Sequence, residues 1–147
     1  MLINLSDINE ATSFDYCIIG AGPAGITLAR KLSLQKNKKI LLVEGGGTEI
    51  SYESQSLYEG SVIGDEYLAL DTCRLRYFGG TSNHWSGACR TFDEIDFLKK
   101  LNFDLNEWPI QKKTIDKYLE EAFNILEVNH IPPDQNILGQ DIKKISF

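Results

Sequence analysis

Two short apolar runs flank a segment with helical periodicity near the start of the chain. Residues 14–19 are mostly apolar and partly β-branched, which is typical of a buried strand. Leu28, Ala29 and Leu32 then recur at helical spacing, which predicts a helix with one apolar face against a sheet. Residues 40–43 (Ile-Leu-Leu-Val) predict a second buried strand. The pattern therefore predicts a βαβ unit and an α/β fold.

A glycine motif lies between the first predicted strand and the helix. Its three glycines have the spacing G-x-G-x-x-G, which permits a sharp turn, close approach of a pyrophosphate and tight packing of helix on strand. A proline suits the first helical turn, and the helix N-terminus directs N–H groups and a positive dipole end towards phosphates. The candidate binding residues here are Gly20, Gly22, Pro23, Ala24 and Gly25.

An acidic residue, Glu44, is predicted to end the second strand. Its carboxylate can accept hydrogen bonds from a ribose diol, and its charge would repel a 2′-phosphate. The motif therefore indicates an adenine dinucleotide, FAD or NAD, rather than NADP. The alternative at this point is a glycine turn in an α/β protein that binds nothing.

A second glycine-rich segment occupies residues 74–90. The Gly79-Gly80 pair permits close backbone approach to a ligand, and the short polar residues that follow can open a helix or hold phosphates and ring edges. By composition alone the segment also fits an ordinary loop. The candidate residues after the glycine pair are Thr81, Ser82, Asn83, His84, Trp85 and Ser86.

The remaining pattern predicts long connections and one helix. Residues 45–47 (Gly-Gly-Gly) predict a flexible loop, and residues 48–77 have no regular period, which predicts long excursions with short helical pieces. Residues 93–97 predict a short acidic turn, and residues 129–147 a linker with His130 on the surface. A later helix of about four turns is predicted from an apolar stripe expected to face the core. The stripe consists of Ile115, Tyr118, Leu119, Ala122, Phe123 and Leu126.

Charge and cysteine content limit the possible partners. The net charge of −6 and the pI near 4.9 argue against a nucleic-acid partner. Cys17, Cys73 and Cys89 form no C-x-x-C pair, which favours neither a disulfide framework nor a zinc site, and Cys17 is predicted to be a small core residue. A reduced, cytoplasmic setting is expected. The sequence predicts neither a signal peptide nor a transmembrane segment.

Taken in order, these features resemble the N-terminal part of the GMC (glucose–methanol–choline) flavin oxidoreductases over about residues 14–127. The resemblance rests on the glycine unit with Glu44, on the Gly-Gly-Thr-Ser-Asn-His-Trp string at residues 79–85, and on the Trp-Pro-Ile break at residues 108–110 with the helix after it. The string is most similar to the sugar-oxidising branch, which includes pyranose oxidases and bacterial sugar or polyol dehydrogenases. Choline- and glucose-oxidase-like members usually carry an aliphatic residue where this chain has His84.

The resemblance implies FAD as the cofactor. His84 matches a histidine that can be joined covalently to the flavin, and Ser86 matches a hydroxyl residue near the reactive edge of the ring. Arg76, Gly79 and Gly80 are further candidate cofactor-binding residues. Family members are usually several times longer and carry their catalytic base towards the C-terminus, so no catalytic residue is expected within this chain.

The expected domain organisation is an incomplete FAD-binding domain. Residues 1–13 form a lead-in, residues 14–128 the Rossmann-like N-terminal part with long loops and a C-terminal amphipathic helix, and residues 129–147 a linker or truncated continuation. The expected function is oxidation of a CH–OH group of a sugar or polyol, with hydride transfer to flavin. The expected partners are that small-molecule substrate and the remaining C-terminal portion of the same enzyme.

Two other functions remain open. The first is a catalytically inactive dinucleotide-binding or interaction module, which the lack of acid–base residues favours. The second is an NAD-dependent enzyme, in which the second glycine motif would have no role.

Overall fold

The computed structural model describes residues 2–87, 89–98 and 107–128. The chain separates into two compact units that divide between Ser86 and Gly87. The first unit contains β1 (Tyr16–Ile19), α1 (Pro23–Ser33), β2 (Ile40–Val43), α2 (Tyr52–Gln55), α3 (Leu70–Cys73) and 3-10 helices at Leu5–Asp7, Ser56–Tyr58 and Gly80–His84. The second unit contains a 3-10 helix at Glu94–Phe97, α4 (Lys112–Asp116) and α5 (Leu119–Leu126).

The βαβ unit is present as the pattern predicted. β1 and β2 pair in parallel, from Tyr16 opposite Ile40 to Ile19 opposite Val43. At the start of the strands, the Asp15 carboxylate accepts hydrogen bonds from the Lys38 ammonium (2.8 Å) and from the Lys39 N–H (2.9 Å). This part of the chain is therefore a mixed α/β unit with a two-stranded parallel sheet. The connection over residues 48–77 contains short helices, also as predicted.

The prediction that the first strand is buried is wrong. Ile19 is 86% exposed and Tyr16 is 39% exposed, and Cys17 is exposed rather than a core residue. Leu28 on α1 is half exposed as well. The physical reason is that, within the described residues, the sheet has two strands, and a two-stranded sheet has too few neighbours to cover its apolar side chains.

The second unit is organised around aromatic rings. Phe97 is 8% exposed, and its ring lies 5.7 Å from that of Phe92 and 6.2 Å from that of Trp108. The predicted acidic turn is a 3-10 helix closed by a capping box between Asp93 and Asp96. An apolar groove of about 190 Å³ lies within this unit, and its apolar lining includes Phe92, Phe97, Ile115, Leu119, Phe123 and Leu126.

The single helix predicted from the apolar stripe is two helices in the structure. The N–H of Tyr118 donates to the carbonyl oxygen of Ile115, three residues back, which tightens the backbone before α5 begins. Five of the six stripe residues still line one groove, but Tyr118 is 58% exposed and Leu126 is 40% exposed. The stripe is therefore a half-exposed apolar face rather than the predicted core.

The lead-in contains one turn of 3-10 helix, at Leu5–Asp7. The linker predicted at residues 129–147, including His130, lies outside the described residues. None of the helices in the described ranges combines the length and apolarity needed to cross a membrane.

Candidate nucleotide-binding site

The first glycine motif connects β1 to α1 through a tightly packed turn. A Cβ atom added at Gly25 would lie 1.9 Å from the carbonyl oxygen of Gly20, so only glycine lets the helix approach the strand this closely. A Cβ at Gly22 would meet no described atom within 4 Å, so there is open space beside the turn. Pro23 is the first residue of α1, as predicted, and no described side chain caps this helix end. The N–H groups of Ala24 and Gly25 lie in that first turn.

Glu44 links two loops through its carboxylate. It follows Val43, the last residue of β2, rather than ending the strand as predicted. One oxygen accepts from the N–H of Ala21 at 2.7 Å and the other from the N–H of Gly46 at 3.0 Å. Each carboxylate oxygen has lone-pair capacity for a further donor.

The ionisation of Glu44 reflects this setting. Partial burial favours the neutral form, but hydrogen bonds from backbone N–H groups and the nearby Arg76 charge outweigh it and hold the pKa of Glu44 below its usual value. Glu44 is therefore a carboxylate at neutral pH, in contact with the glycine turn.

The second glycine motif lies directly on the first. The N–H of Gly79 donates to the carbonyl oxygen of Ala21 at 2.8 Å. Gly79 has a φ of +93° and Gly80 a φ of +58°, both in the left-handed region that favours glycine. A Cβ added at Gly80 would lie 3.4 Å from the Cα of Gly22. The two motifs, distant in sequence, therefore form one continuous surface.

The short polar residues after Gly80 stabilise their own turn. The Ser82 hydroxyl donates to the carbonyl oxygen of Gly79 at 2.6 Å, and the Asn83 amide donates to that of Phe78 at 2.8 Å. The Thr81 hydroxyl accepts from the N–H of Leu75 at 3.3 Å. These side chains thus shape the glycine turn, and their predicted contacts with a ligand stay predictions.

The end of this segment is open to solvent. His84 is the last residue of the 3-10 helix, and both His84 and Ser86 are exposed. Trp85 is 41% exposed. A role for these side chains at a flavin ring stays a prediction.

Two functional candidates were missed by sequence reasoning. Ser54 and Gln55 lie on α2 and hydrogen-bond to the segment that leads into the second glycine turn. Arg76, predicted to bind cofactor, donates from Nη1 to the carbonyl oxygen of Gly45 (2.8 Å) and to the Ser54 hydroxyl (2.9 Å). Residues 48–77 lack a period and a motif, so nothing in the sequence singled out Ser54 or Gln55.

This geometry is consistent with a partial Rossmann-like unit: parallel strands, a glycine turn at a helix N-terminus, and an acid after the second strand. Short segments of the chain match choline dehydrogenases. The chain is 44% identical over 46 residues to the oxygen-dependent choline dehydrogenase of Chromohalobacter salexigens, which covers 31% of this chain and 8% of that protein. It is 48% identical over 40 residues to the enzyme of the same name from Escherichia coli K12, which covers 27% of this chain and 7% of that protein.

These matches support a relation to the GMC oxidoreductases, which act on alcohols, but not to the pyranose oxidase branch in particular. The matched segments span less than a tenth of the length of these relatives. No protein-family model matches the chain, and no solved structure matches it significantly.

Proposed function

We propose that this chain binds the ADP portion of FAD as the N-terminal part of a GMC-type oxidoreductase. The observation that carries the proposal is the hydrogen bond from the Gly79 N–H to the Ala21 carbonyl oxygen. It joins a second glycine turn to the dinucleotide motif, and a plain glycine turn in an unrelated α/β protein would need no such partner. An NAD-dependent enzyme would not need it either.

The residues present fit such a cofactor. The open space beside Gly22 suits a diphosphate, and the first turn of α1, which no described side chain caps, presents the N–H groups of Ala24 and Gly25 to it. Glu44, ionised at neutral pH, suits a ribose diol. When bound, FAD supplies the hydride acceptor. In this proposal the chain binds and orients the cofactor, and the remaining C-terminal portion of the enzyme supplies the acid–base residues.

For the substrate, we propose the CH–OH group of a sugar or polyol. The support is the string at residues 79–85 with His84, which the sugar-oxidising branch shares. A choline-like alcohol is the second candidate, because the matching relatives are choline dehydrogenases. Turnover of sugars, polyols and choline by the complete protein, each compared under the same conditions, separates the two.

The test of cofactor choice is to titrate the full chain with FAD and with NAD. Quenching of flavin fluorescence measures FAD binding, and calorimetry measures the binding of both ligands. FAD should bind more tightly than NAD. Gly22→Val should abolish FAD binding without loss of secondary structure, because the branched side chain enters the space assigned to the diphosphate. Gly60→Val is the matched control, since a Cβ there also meets no described atom within 4 Å but lies outside the motif. Absence of FAD binding by the wild type would contradict the proposal.

Whether His84 bonds covalently to the flavin is decided by acid denaturation of the complete protein. Yellow colour that stays with the polypeptide, and is lost in His84→Ala, establishes a covalent link. Flavin released wholly into the supernatant leaves His84 as a non-covalent neighbour of the ring.

A further inference from the structure

The segment before the second glycine turn is held by two polar residues of α2. Ser54 is buried, at 9% exposure, and its hydroxyl donates to the carbonyl oxygen of Arg76 at 2.8 Å. The Ser51 hydroxyl accepts from the N–H of Ser54 at 3.2 Å and so caps α2. Few of the described residues are buried. The burial of the Ser54 hydroxyl therefore indicates that it fixes the backbone path of the neighbouring segment.

The Gln55 side chain makes three hydrogen bonds to one stretch of backbone. Its Nε2 donates to the carbonyl oxygens of Asp71 (2.6 Å) and Arg74 (2.5 Å), and its Oε1 accepts from the N–H of Arg76 (3.0 Å). Both amide hydrogens and the amide oxygen are therefore used. This combination of two donors and an acceptor requires an amide, because a carboxylate would bring negative charge against two carbonyl oxygens.

The same segment then packs against the loop after β2. A Cβ added at Gly46 would lie 2.1 Å from the carbonyl oxygen of Arg76, and the N–H of Phe78 donates to the carbonyl oxygen of Gly47 at 2.9 Å. The loop at residues 45–47, expected to be flexible from its sequence, is thus in close contact with residues 76–78. Any shift of Arg76 would move Phe78 and Gly79 relative to Ala21.

We propose that Ser54 and Gln55 are positioning residues for cofactor binding, acting through Arg76 to hold the Gly79–Gly80 turn at the distance from the first glycine motif that a diphosphate needs. This inference rests on the proposed function. It also gives Arg76 a positioning role, since its Nη1 is engaged by Gly45 and Ser54. Ser54 and Gln55 would touch no ligand atom themselves.

The test is Gln55→Glu in the full chain, with ADP as the probe. The substitution keeps the shape and removes both donors. ADP affinity should fall about tenfold or more, the scale of losing hydrogen bonds that hold a binding surface. Binding of adenosine, which lacks the diphosphate, should change less than the binding of ADP. Gln35→Glu is the matched control, because Gln35 is exposed beyond the far end of α1.

Hydrogen exchange separates positioning from general destabilisation. In Gln55→Glu the amides of Phe78 and Gly79 should exchange faster, while those of β1 and β2 keep wild-type protection. If all these amides lose protection together, or if the affinities for ADP and for adenosine fall equally, Gln55 only stabilises the fold and the inference is wrong. If Gln55→Glu does not fold, Ser54→Ala, which removes one hydroxyl, is tested in its place. This variant should weaken ADP binding several-fold. Wild-type ADP affinity in Ser54→Ala overturns the inference.

Failure of the proposed function gives a different result. If the wild-type chain binds neither ADP nor FAD, the proposed function is wrong and the positioning role falls with it. If the wild type binds ADP and Gln55→Glu binds it equally well, the proposed function stands and only the positioning inference is overturned.

Discussion

The two units of the chain are stabilised by different kinds of contact. In the first, segments far apart in sequence meet through backbone groups: the N–H of Gly79 with the carbonyl oxygen of Ala21, and the N–H groups of Ala21 and Gly46 with Glu44. In the second, the principal described contacts are between aromatic rings, with Phe97 at the centre. Hydrogen bonds are directional and specify positions, whereas apolar contacts mainly supply stability.

This difference favours the first unit as the location of the proposed site. A site that recognises a diphosphate needs N–H groups at defined positions, which a hydrogen-bonded glycine surface provides. The aromatic cluster of the second unit offers apolar area and few polar groups for recognition. The comparison predicts that variants of the two glycine turns and their hydrogen-bond partners change ligand binding, and that variants of the second unit change stability alone.

The largest effect is expected from Gly25→Val. A Cβ at this position would lie 1.9 Å from the Gly20 carbonyl oxygen, so α1 must move away from β1. We expect a loss of about 3 kcal/mol or more in the free energy of unfolding, together with loss of ADP binding. Urea unfolding followed by circular dichroism measures the first, and Gly60→Val is the control. Equal unfolding midpoints for the two variants would show that this close approach is not required.

In the second unit, Phe97→Ala should have the next largest effect. Removing the ring empties the centre of the aromatic cluster and should cost about 2–3 kcal/mol. Trp108 fluorescence in a Trp85→Phe background reports unfolding of this unit. Ile95→Ala, at a position 66% exposed, should cost little. ADP affinity should remain that of the wild type, and a loss of affinity would contradict the assignment of the site to the first unit.

Glu44→Ala should weaken adenine-dinucleotide binding by about 1–3 kcal/mol, the scale of losing charge-assisted hydrogen bonds. The loss has two sources: the ribose contact, and the support that the carboxylate gives to the N–H groups of Ala21 and Gly46. Calorimetric titration with FAD measures it. Glu49→Ala, an exposed acid in the same unit, is the control. An unchanged affinity would rule out Glu44 as the acidic residue of the site.

The smallest effect is expected in acid stability. Because the pKa of Glu44 is lower in the folded chain than its usual 4.5, its carboxylate stabilises the fold above that pH, and the stabilisation is lost as the pH falls through the folded pKa. Glu44→Gln should therefore lose less stability than the wild type between pH 7 and pH values below 4.5. Unfolding free energies across this range test it; parallel curves for the two proteins would argue against the lowered pKa.

Local features of the first unit followed from the sequence. The predicted second strand at residues 40–43 is β2, the first was predicted over 14–19 and found at Tyr16–Ile19, and Pro23 begins the helix. Hydrophobic periodicity, β-branching and turn-forming residues are properties of short stretches of sequence, so a local pattern is enough to predict the elements that depend on them. The break before α5 was missed because the stripe continues through it at the same spacing.

Burial was decided by tertiary structure. Cys17 and Ile19 have the composition of a buried strand, yet both are exposed among the described residues. An apolar run shows that a strand is suited to burial, whereas its actual exposure depends on which elements pack against it. The number of elements that pack against a strand cannot be predicted from the residues of the strand itself.

In the candidate site as well, local features were predicted from the sequence and long-range contacts were not. Spacing alone predicted Gly20, Gly22, Gly25 and Glu44 as residues of one site, because their positions near strand and helix ends are set by local structure. The sequence did not show that Gly79 hydrogen-bonds to Ala21, or that Ser54 and Gln55 hold the segment between them. Those contacts join segments far apart in the chain, and their geometry depends on how each connection folds back. Tertiary structure alone brought the two glycine turns together.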